Sequence, residues 1–355
     1  MHVYRLTSDC IWNSFQSSKK KHIIITGDRG TGKSTLLNHL FPNPLPGITT
    51  WAVPKSAVYL KENGSDNTTQ VGVYDATIEG FENKMKLCGD GFSKAGLNAL
   101  NNALLSDSKW ISIDEIGYLE SQCTDYLNLI SNIMEKKHVL AVVRKQNLSH
   151  LKELCEHDDV FLVDLDAPFG NMGCVIMASG LGKRFGDNKL MADFHGKPLI
   201  TYILDATSDI FKKRIVVTRH QSVAKLCEEK NIDCILHTLP HRNDTIRLGL
   251  EKLLDTEHCM FCTSDQPLLR QETIATLVLS AANAPSKIIR PICDDIIGSP
   301  VVFPRQTYDE LLKLPEGKGG AYVIKQHPDD IHYLPINNSA ELEDIDTTED
   351  LLRLS

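Results

Sequence analysis

The sequence predicts an α/β protein of two domains, each built around a sheet of mainly parallel strands. Short apolar runs alternate with helix-like segments through both halves of the chain, a pattern typical of parallel α/β sheets. The chain has 355 residues, which exceeds the size at which a single hydrophobic core stops growing. An aperiodic stretch containing Pro168, Gly170 and Gly173 lies near the middle. We therefore predict one domain over residues 1–168 and a second over residues 172–355.

The elements of both domains follow from the length and periodicity of the apolar segments. In chain order, the predicted strands cover residues 22–26, 110–115, 139–143, 160–163, 174–177, 214–218, 232–237 and 259–264. The predicted helices cover residues 35–41, 126–136, 200–206, 223–230 and 245–254. In open α/β sheets, ligands bind at the carboxyl ends of the strands, so the loops that follow these strands are the candidate sites.

Composition excludes several classes of protein. The chain is 42% hydrophobic and 24% charged, as ordinary globular proteins are. No apolar run reaches membrane-spanning length and no signal-peptide core is visible, so we expect no membrane partner and a cytoplasmic location. The net charge of −8 leaves no basic footprint for nucleic acid. The ten cysteines lie scattered in apolar segments, and Cys259 and Cys262 would face opposite sides of their strand, so we expect no disulfide framework.

The first candidate site is the segment Gly27-Asp-Arg-Gly-Thr-Gly-Lys-Ser34. It has the G-x-x-x-x-G-K-S pattern of a P-loop, with a strand before it and a helix after it, as that motif requires. The loop amides would hold phosphates, Lys33 would reach the β- and γ-phosphates, and Ser34 would ligate Mg²⁺. The predicted nucleotide-binding residues are Gly27, Gly30, Gly32, Lys33, Ser34 and Thr35.

A P-loop needs an acidic strand end beside it, and Trp110-Ile-Ser-Ile-Asp114-Glu115 provides one. Asp114 is placed to hold the Mg²⁺, and Glu115 to polarise an attacking water. The alternative is an ordinary strand that ends in a solvated turn. Arg144, which follows another predicted strand, could reach a γ-phosphate, although a surface ion pair is the favoured interpretation.

A second glycine-rich loop follows the predicted strand 174–177. Glycines let the backbone approach a ligand closely, and consecutive loop amides with nearby cations favour a triphosphate. The alternative is a surface loop that is rich in glycine and lysine. The residues concerned are Gly180, Gly182, Lys183, Arg184, Gly186 and Lys189.

The predicted strand 259–264 delivers Asp265 to the same edge of the second sheet. A carboxylate at that position is a natural Mg²⁺ ligand beside a bound triphosphate. The alternative is that Asp265 caps the helix that follows it.

The first half of the chain resembles the nucleoside-triphosphatase family first described from thermophiles. The motifs that carry the resemblance are the P-loop, Gly47-Ile-Thr-Thr50 and Asp114-Glu-Ile-Gly-Tyr-Leu-Glu120. It covers about one domain, the first 165 residues. The resemblance implies a P-loop NTPase with a parallel sheet that hydrolyses ATP or other NTPs with little base preference.

The second half resembles the molybdenum cofactor cytidylyltransferases within the MobA-like nucleotidyltransferase superfamily. Five motifs carry this resemblance in order: Gly180-Leu-Gly-Lys-Arg-Phe-Gly-Asp-Asn-Lys189, Gly196-Lys-Pro-Leu199, Asp265-Gln-Pro-Leu-Leu269, Gly298-Ser-Pro-Val-Val-Phe303 and Asp344-Ile-Asp-Thr-Thr-Glu-Asp350. It implies a Rossmann-like sheet and transfer of a nucleoside monophosphate from CTP or GTP to a molybdopterin-type phosphate acceptor. A molybdenum hydroxylase apoenzyme is the implied protein partner.

The resemblance also implies roles for individual residues of the second half. Arg184 and Lys189 would act on the triphosphate, Asp265 would hold Mg²⁺, and Asp344 and Asp346 would lie near the metal and the acceptor phosphate. With the first domain included, the expected catalytic residues are Glu115, Arg184, Lys189 and Asp265, and the expected metal ligands are Ser34, Asp114, Asp265, Asp344 and Asp346.

The chain departs from the cytidylyl pattern in three places. Gly317-Lys-Gly-Gly-Ala-Tyr322 stands where Gly-Asp-x-Gly-Ala-Arg is usual, so Lys318 cannot ligate Mg²⁺ and Tyr322 cannot pair with phosphate as arginine does. Arg242-Asn-Asp-Thr245 replaces a serine-rich turn, and Ser179 leaves the choice between CTP and GTP open. Two alternatives therefore remain: a transferase that acts on a sugar or polyol phosphate, and a non-catalytic maturation chaperone that binds nucleotide or cofactor.

Overall fold

The computed structural model describes residues 5–79, 84–182, 185 and 188–354, which form two compact units. The first unit is Lys19–Pro168, and the second joins the N-terminal segment up to Ser18 with the chain from Phe169 onward. The predicted domain bounds differ from this division, because the N-terminal helix α1 (Ser8–Ser18) packs on the helix Gln271–Ala282. Cys10, Ile11, Ser14 and Phe15 form its buried face, and the Ser14 hydroxyl donates to the carbonyl oxygen of Thr276 (3.0 Å).

The first unit is a mixed sheet flanked by helices. Its strands are β1 (His22–Thr26), β2 (Gly47–Val53), β3 (Ala57–Glu62), β4 (Thr68–Tyr74), β5 (Met85–Leu87), β6 (Trp110–Ile116), β7 (His138–Val143) and β8 (Val160–Asp164). Its helices are α2 (Lys33–His39), α3 (Leu97–Leu105), α4 (Thr124–Lys136) and α5 (Ser149–Cys155).

Strand order in the first unit is β5-β4-β3-β2-β6-β7-β1-β8. The neighbours from β2 to β8 pair in parallel, as predicted, whereas β3, β4 and β5 extend the sheet in antiparallel fashion. The parallel arrangement brings the P-loop after β1 and the acidic end of β6 to the same edge of the sheet.

The second unit is also a mixed sheet. Its strands are β9 (Met172–Ala178), β10 (Asp193–Phe194), β11 (Lys197–Pro198), β12 (Lys213–Thr218), β13 (Asp233–Leu236), β14 (His258–Thr263), β15 (Ile288–Cys293), β16 (Ile296–Ile297), β17 (Val301–Pro304) and β18 (Ile331–Pro335). Its further helices are α6 (Ile200–Ala206), α7 (Gln221–Glu229), α8 (Arg242–Leu250), α9 (Gln271–Ala282), α10 (Tyr308–Leu312), α11 (Ala321–Gln326) and α12 (Thr348–Leu354).

The main sheet of the second unit has the order β13-β12-β9-β14-β17-β15-β16, with β18 paired to β15 and the short β10–β11 pair apart from it. The strands from β13 to β14 pair in parallel, and β17 pairs antiparallel to both of its neighbours. Separate apolar clusters cover the two faces: Cys259 belongs to one cluster and Cys262 to the other, as the alternation of a strand predicts. The α/β class is therefore confirmed, although both sheets carry antiparallel strands.

No helix in the described part of the chain combines the length and the apolar character that a membrane crossing requires. The ten cysteines all lie in the described part of the chain and form no disulfide bond there.

Candidate functional site

The P-loop of the first unit has the backbone that its glycines predict. Gly27, Gly30 and Gly32 have φ values of +145°, +82° and +93°, a region that side chains other than glycine rarely adopt. The Lys33 ammonium curls back and donates to the carbonyl oxygens of Gly27 (2.8 Å) and Asp28 (2.7 Å). The lysine is therefore held over the loop by the loop's own backbone, at the position where phosphates would lie.

Two predicted metal ligands of the first unit lie in direct contact. The Ser34 hydroxyl, at the start of α2, donates to Asp114 Oδ1 (2.9 Å) near the end of β6. Burial raises the pKa of Asp114 to about 6. A hydroxyl and a carboxylate are oxygen ligands of the kind Mg²⁺ prefers, so this pair fits the ion. Thr35 follows Ser34 on the exposed face of α2.

Glu115 lies next to Asp114 in a strained conformation. Its φ is +82°, and the pairing of β6 with β7 shifts register between Ile113 and Ile116. Arg144 Nε donates to Glu115 Oε1 at 2.6 Å, and both side chains are less than one quarter exposed. The expected surface ion pair of Arg144 is instead a largely buried one, and its partner is the candidate catalytic carboxylate.

A buried carboxyl group lies close to this pair. Glu120 accepts a hydrogen bond from the Gly117 amide (2.8 Å) and is fully enclosed. Burial raises the pKa of Glu120 to about 7. Glu115, Glu120 and Arg144 line one small cleft of the first unit.

The second unit has a cavity of about 600 Å³ at the carboxyl ends of β9, β12 and β14. Its position follows from the parallel strands, which place their succeeding loops on one edge. The predicted residues that line it are Ser179, Gly180, Gly182, Lys189, Asp265, Asp344 and Asp346, and it also contains Arg219, His241 and Arg242.

Lys189 organises the floor of this cavity. Its buried ammonium donates to Asp265 Oδ2 (2.7 Å), Asp346 Oδ1 (2.8 Å) and the carbonyl oxygen of Ile345 (2.9 Å). A lysine has three N–H donors, and each has an acceptor here. Burial disfavours the charge, but Asp265 and Asp346 hold the pKa of Lys189 above its usual value. This differs from the expectation that Lys189 contacts the triphosphate, since its donors are already occupied.

The carboxylates of the cavity fit a divalent cation that the nucleotide would help to hold. Asp265 Oδ1 is buried and has no hydrogen-bond partner in the described chain. Burial, followed by the charges of Asp265 and Asp346, raises the pKa of Asp344 to about 6. Within the described ranges, no three side chains of the ligating types form a ready metal cage. Mg²⁺ commonly takes one or two carboxylates and completes its shell with phosphate and water, which suits Asp265 and Asp344.

Asp265 does not cap the next helix, so that alternative is wrong. Helix α9 begins at Gln271 with Arg270 as its N-terminal capping position. The glycine-rich loop is described in part: Gly182 has a φ of +55° and Gly180 has open space around its Cα. The predicted residues Lys183, Arg184 and Gly186 lie outside the described residues.

Two residues that sequence reasoning missed hold the start of this loop. Arg219 donates from Nε (3.0 Å) and Nη2 (2.8 Å) to the carbonyl oxygen of Ser179. His237 Nε2 lies 2.9 Å from the Ser179 hydroxyl, which donates to the carbonyl oxygen of Val217 (3.1 Å). Arg219 and His237 follow the ends of β12 and β13, and that placement at the carboxyl edge is the signal that could have found them.

The fold and the two candidate sites are those of an α/β nucleotide-binding protein, with one candidate site in each unit. Residues 174–331 match the family model of the MobA-like NTP transferase domain, and residues 52–168 match that of the NTPase family. The second unit therefore contains a region similar to the MobA-like NTP transferase domain, and the first unit contains a region similar to the NTPase family.

The curated relatives carry a related description. The chain is 27% identical over 124 residues to a "Probable molybdenum cofactor guanylyltransferase" of Bacillus licheniformis, a match that covers 34% of this chain and 61% of the relative. It is 26% identical over 102 residues to the protein of the same description from Aquifex aeolicus, covering 28% and 49%. The chain thus spans about half to three fifths of the length of these relatives.

Among solved structures, the chain is similar to Rv0371c from Mycobacterium tuberculosis. The identity is 20% and the TM-score 0.47, and the match covers 52% of this chain and 97% of that chain.

Proposed function

We propose that the second unit transfers a nucleoside monophosphate from GTP or CTP to the phosphate of a molybdopterin-type acceptor and releases pyrophosphate. The observation that carries the proposal is the group of Lys189, Asp265, Asp344 and Asp346 on the floor of the 600 Å³ cavity. A polar cleft of this size with a partnerless buried carboxylate oxygen suits a nucleoside triphosphate and its metal.

The reaction needs no protein nucleophile. An oxygen of the acceptor phosphate forms a bond with the α-phosphorus, and the bond from that phosphorus to the α–β bridging oxygen breaks as pyrophosphate leaves. Asp265 and Asp344 would hold Mg²⁺, which would neutralise charge on the phosphates when bound. Lys189 holds Asp265 and Asp346 in place, so the chain contributes positioning and electrostatic stabilisation.

Two observations bear on which base the nucleotide carries, and they support different bases. The curated relatives are described as guanylyltransferases, which favours GTP. The motifs resemble cytidylyltransferases, which keeps CTP in the proposal. The Ser179 hydroxyl donates its proton to the carbonyl oxygen of Val217 and lies 2.9 Å from His237 Nε2, so its single proton is already used within the chain.

We further propose that the first unit hydrolyses ATP or other NTPs with Mg²⁺. The contact between Ser34 and Asp114 at 2.9 Å, beside a P-loop with Lys33 over it, is the observation that favours this second activity. Glu115 would orient the attacking water. Delivery of the nucleotide-bearing cofactor to a molybdenum hydroxylase apoenzyme, in a reducing cytoplasm where free thiols persist, belongs to the same proposal.

A nucleotide-by-acceptor panel tests the transferase proposal. The full chain would be incubated with each of GTP, CTP, ATP and UTP, and with molybdopterin, a sugar phosphate or a polyol phosphate, and pyrophosphate release would be measured. We expect release with GTP or CTP and molybdopterin, and its loss in Asp265→Asn. Pyrophosphate release only with a sugar or polyol phosphate would show that the acceptor is not molybdopterin. Nucleotide binding without pyrophosphate release would support a chaperone instead.

A further inference from the structure

Arg144 connects the ends of two neighbouring strands of the first unit. It directly follows β7, and its backbone amide donates to the carbonyl oxygen of Ile116 at the end of β6 (2.9 Å). Its Nε donates to Glu115 Oε1 at 2.6 Å, with side-chain exposures of 20% for Arg144 and 24% for Glu115. The arginine therefore ties its own strand to the end of β6 twice, through its backbone at Ile116 and through its side chain at Glu115.

The backbone around Glu115 is shaped to accept this arginine. A φ of +82° is unfavourable for glutamate, and such conformations persist where surrounding contacts impose them. A Cβ atom on Gly117 would lie 2.8 Å from Arg144 Cδ, so the absence of a side chain there leaves room for the arginine stem. The strained backbone of Glu115 and the missing side chain at Gly117 thus belong to one arrangement around Arg144.

The charges around the pair place it beside the P-loop. Burial lowers the pKa of Lys33, and the charges of Glu115 and Arg144 act on it in opposite directions, so both groups lie close enough to influence the P-loop lysine. The buried Glu120 also faces Arg144 and supports its positive charge. The hydrogen bond from Arg144 Nε uses Glu115 Oε1 and leaves the other carboxylate oxygen, Oε2, outside it.

We propose that Arg144 is a positioning residue for NTP hydrolysis, holding Glu115 by Oε1 so that Oε2 receives the attacking water. This inference rests on the proposed NTPase activity of the first unit. In the step, the water oxygen bonds to the γ-phosphorus, and the bond from that phosphorus to the β–γ bridging oxygen breaks. The proton of the water passes through Glu115 Oε2 to the released phosphate, and the nucleoside diphosphate leaves with the bridging oxygen.

A double-mutant cycle on the full chain tests whether Arg144 acts through Glu115. Arg144→Gln should lower kcat for NTP hydrolysis about tenfold to a hundredfold, a part of what a positioned proton-transfer group contributes, with KM changed less than about threefold. Arg144→Lys should regain part of that loss. In a Glu115→Gln background, Arg144→Gln should cause no further loss of kcat, because the carboxylate that Arg144 positions is already absent.

Lys137 provides a matched control at the other end of the same strand. It directly precedes β7, and its ammonium donates to the carbonyl oxygens of Ser106 (2.7 Å) and Ser108 (2.8 Å). Lys137→Gln removes a cation bound to backbone groups but far along the strand from the P-loop, and should leave kcat unchanged. Titration with a fluorescent ATP analogue shows whether each variant keeps a folded P-loop.

The outcomes separate the inference from the proposed function. Parent kcat in Arg144→Gln, or loss of analogue binding in both Arg144→Gln and Arg144→Lys, would overturn the positioning role. A further tenfold loss of kcat in the Glu115→Gln background would also overturn it, because Arg144 would then act on the phosphate directly. A parent chain that hydrolyses no more NTP than Lys33→Ala would instead overturn the NTPase activity, and the inference with it.

Discussion

Both units place a lysine and carboxylates at the carboxyl ends of parallel strands. They differ in what holds the lysine. In the first unit, Lys33 lies on carbonyl oxygens five and six residues away within its own loop. In the second, Lys189 is buried against Asp265 and Asp346, which lie 76 and 157 residues further along the chain. A lysine held by its own loop can turn to a ligand without disturbing the fold, whereas one held by distant segments is part of the fold.

The largest expected effect is on hydrolysis when the P-loop lysine is removed. Lys33→Ala should lower NTP hydrolysis by at least about a hundredfold, because the charge that develops on the phosphates loses its cation. Its thermal midpoint should move by no more than a few degrees, since within the described residues the lysine donates to carbonyl oxygens of its own loop. Phosphate release and thermal unfolding measure the two quantities, and a large loss of stability would contradict the account of this unit.

Lys189→Ala should lose both transfer and stability. The substitution leaves Asp265 and Asp346 without their counter-charge, and breaking a buried pair costs about 3 kcal/mol. Asp346 is half exposed, which places the expected cost at the lower end of the usual range. Urea unfolding of the isolated variant would measure it. A fully stable variant that has lost only nucleotide affinity would show that Lys189 serves the triphosphate directly, as the sequence predicted.

A smaller effect concerns pH and the buried carboxyl of the first unit. Burial raises the pKa of Glu120 from 4.5 to about 7. Between those values the folded chain keeps a proton that the unfolded chain has lost, so stability should fall as pH rises from about 4.5 to 7, by up to about 3 kcal/mol. Glu120→Gln keeps an acceptor for the Gly117 amide and should flatten this part of the profile. Denaturant unfolding of parent and variant at pH 5 and pH 8 checks it, and equal pH dependence in both would contradict it.

The sequence predicted those features whose signals lie within one continuous segment of the chain. The strand His22–Thr26 and the helix Ile200–Ala206 have the predicted bounds, because apolar runs there end at clear glycine or turn signals. The P-loop could be placed residue by residue, since its function lies in one continuous segment. The antiparallel strands β3 to β5 were missed, because polar residues such as Lys61 and Thr68 interrupt their apolar pattern.

The parts that sequence could not reveal depend on contacts between distant segments. A lysine near glycines indicates phosphate binding, and nothing local shows that its acceptors are Asp265, Ile345 and Asp346. The packing of α1 on α9 is another contact between distant segments, because the sequence of a short amphipathic helix does not indicate which surface it covers. The ion pair of Arg144 with Glu115 joins residues on neighbouring strands, whose pairing had to be known first.

The central claim is that the chain carries two separate nucleotide chemistries, one in each unit. The most direct test measures both reactions in two matched variants of the full chain, Asp114→Asn in the first unit and Asp265→Asn in the second. The account predicts that Asp114→Asn loses phosphate release from NTP and keeps pyrophosphate release in the transfer reaction, and that Asp265→Asn does the reverse. Loss of both reactions in each folded variant, or of neither, would contradict it.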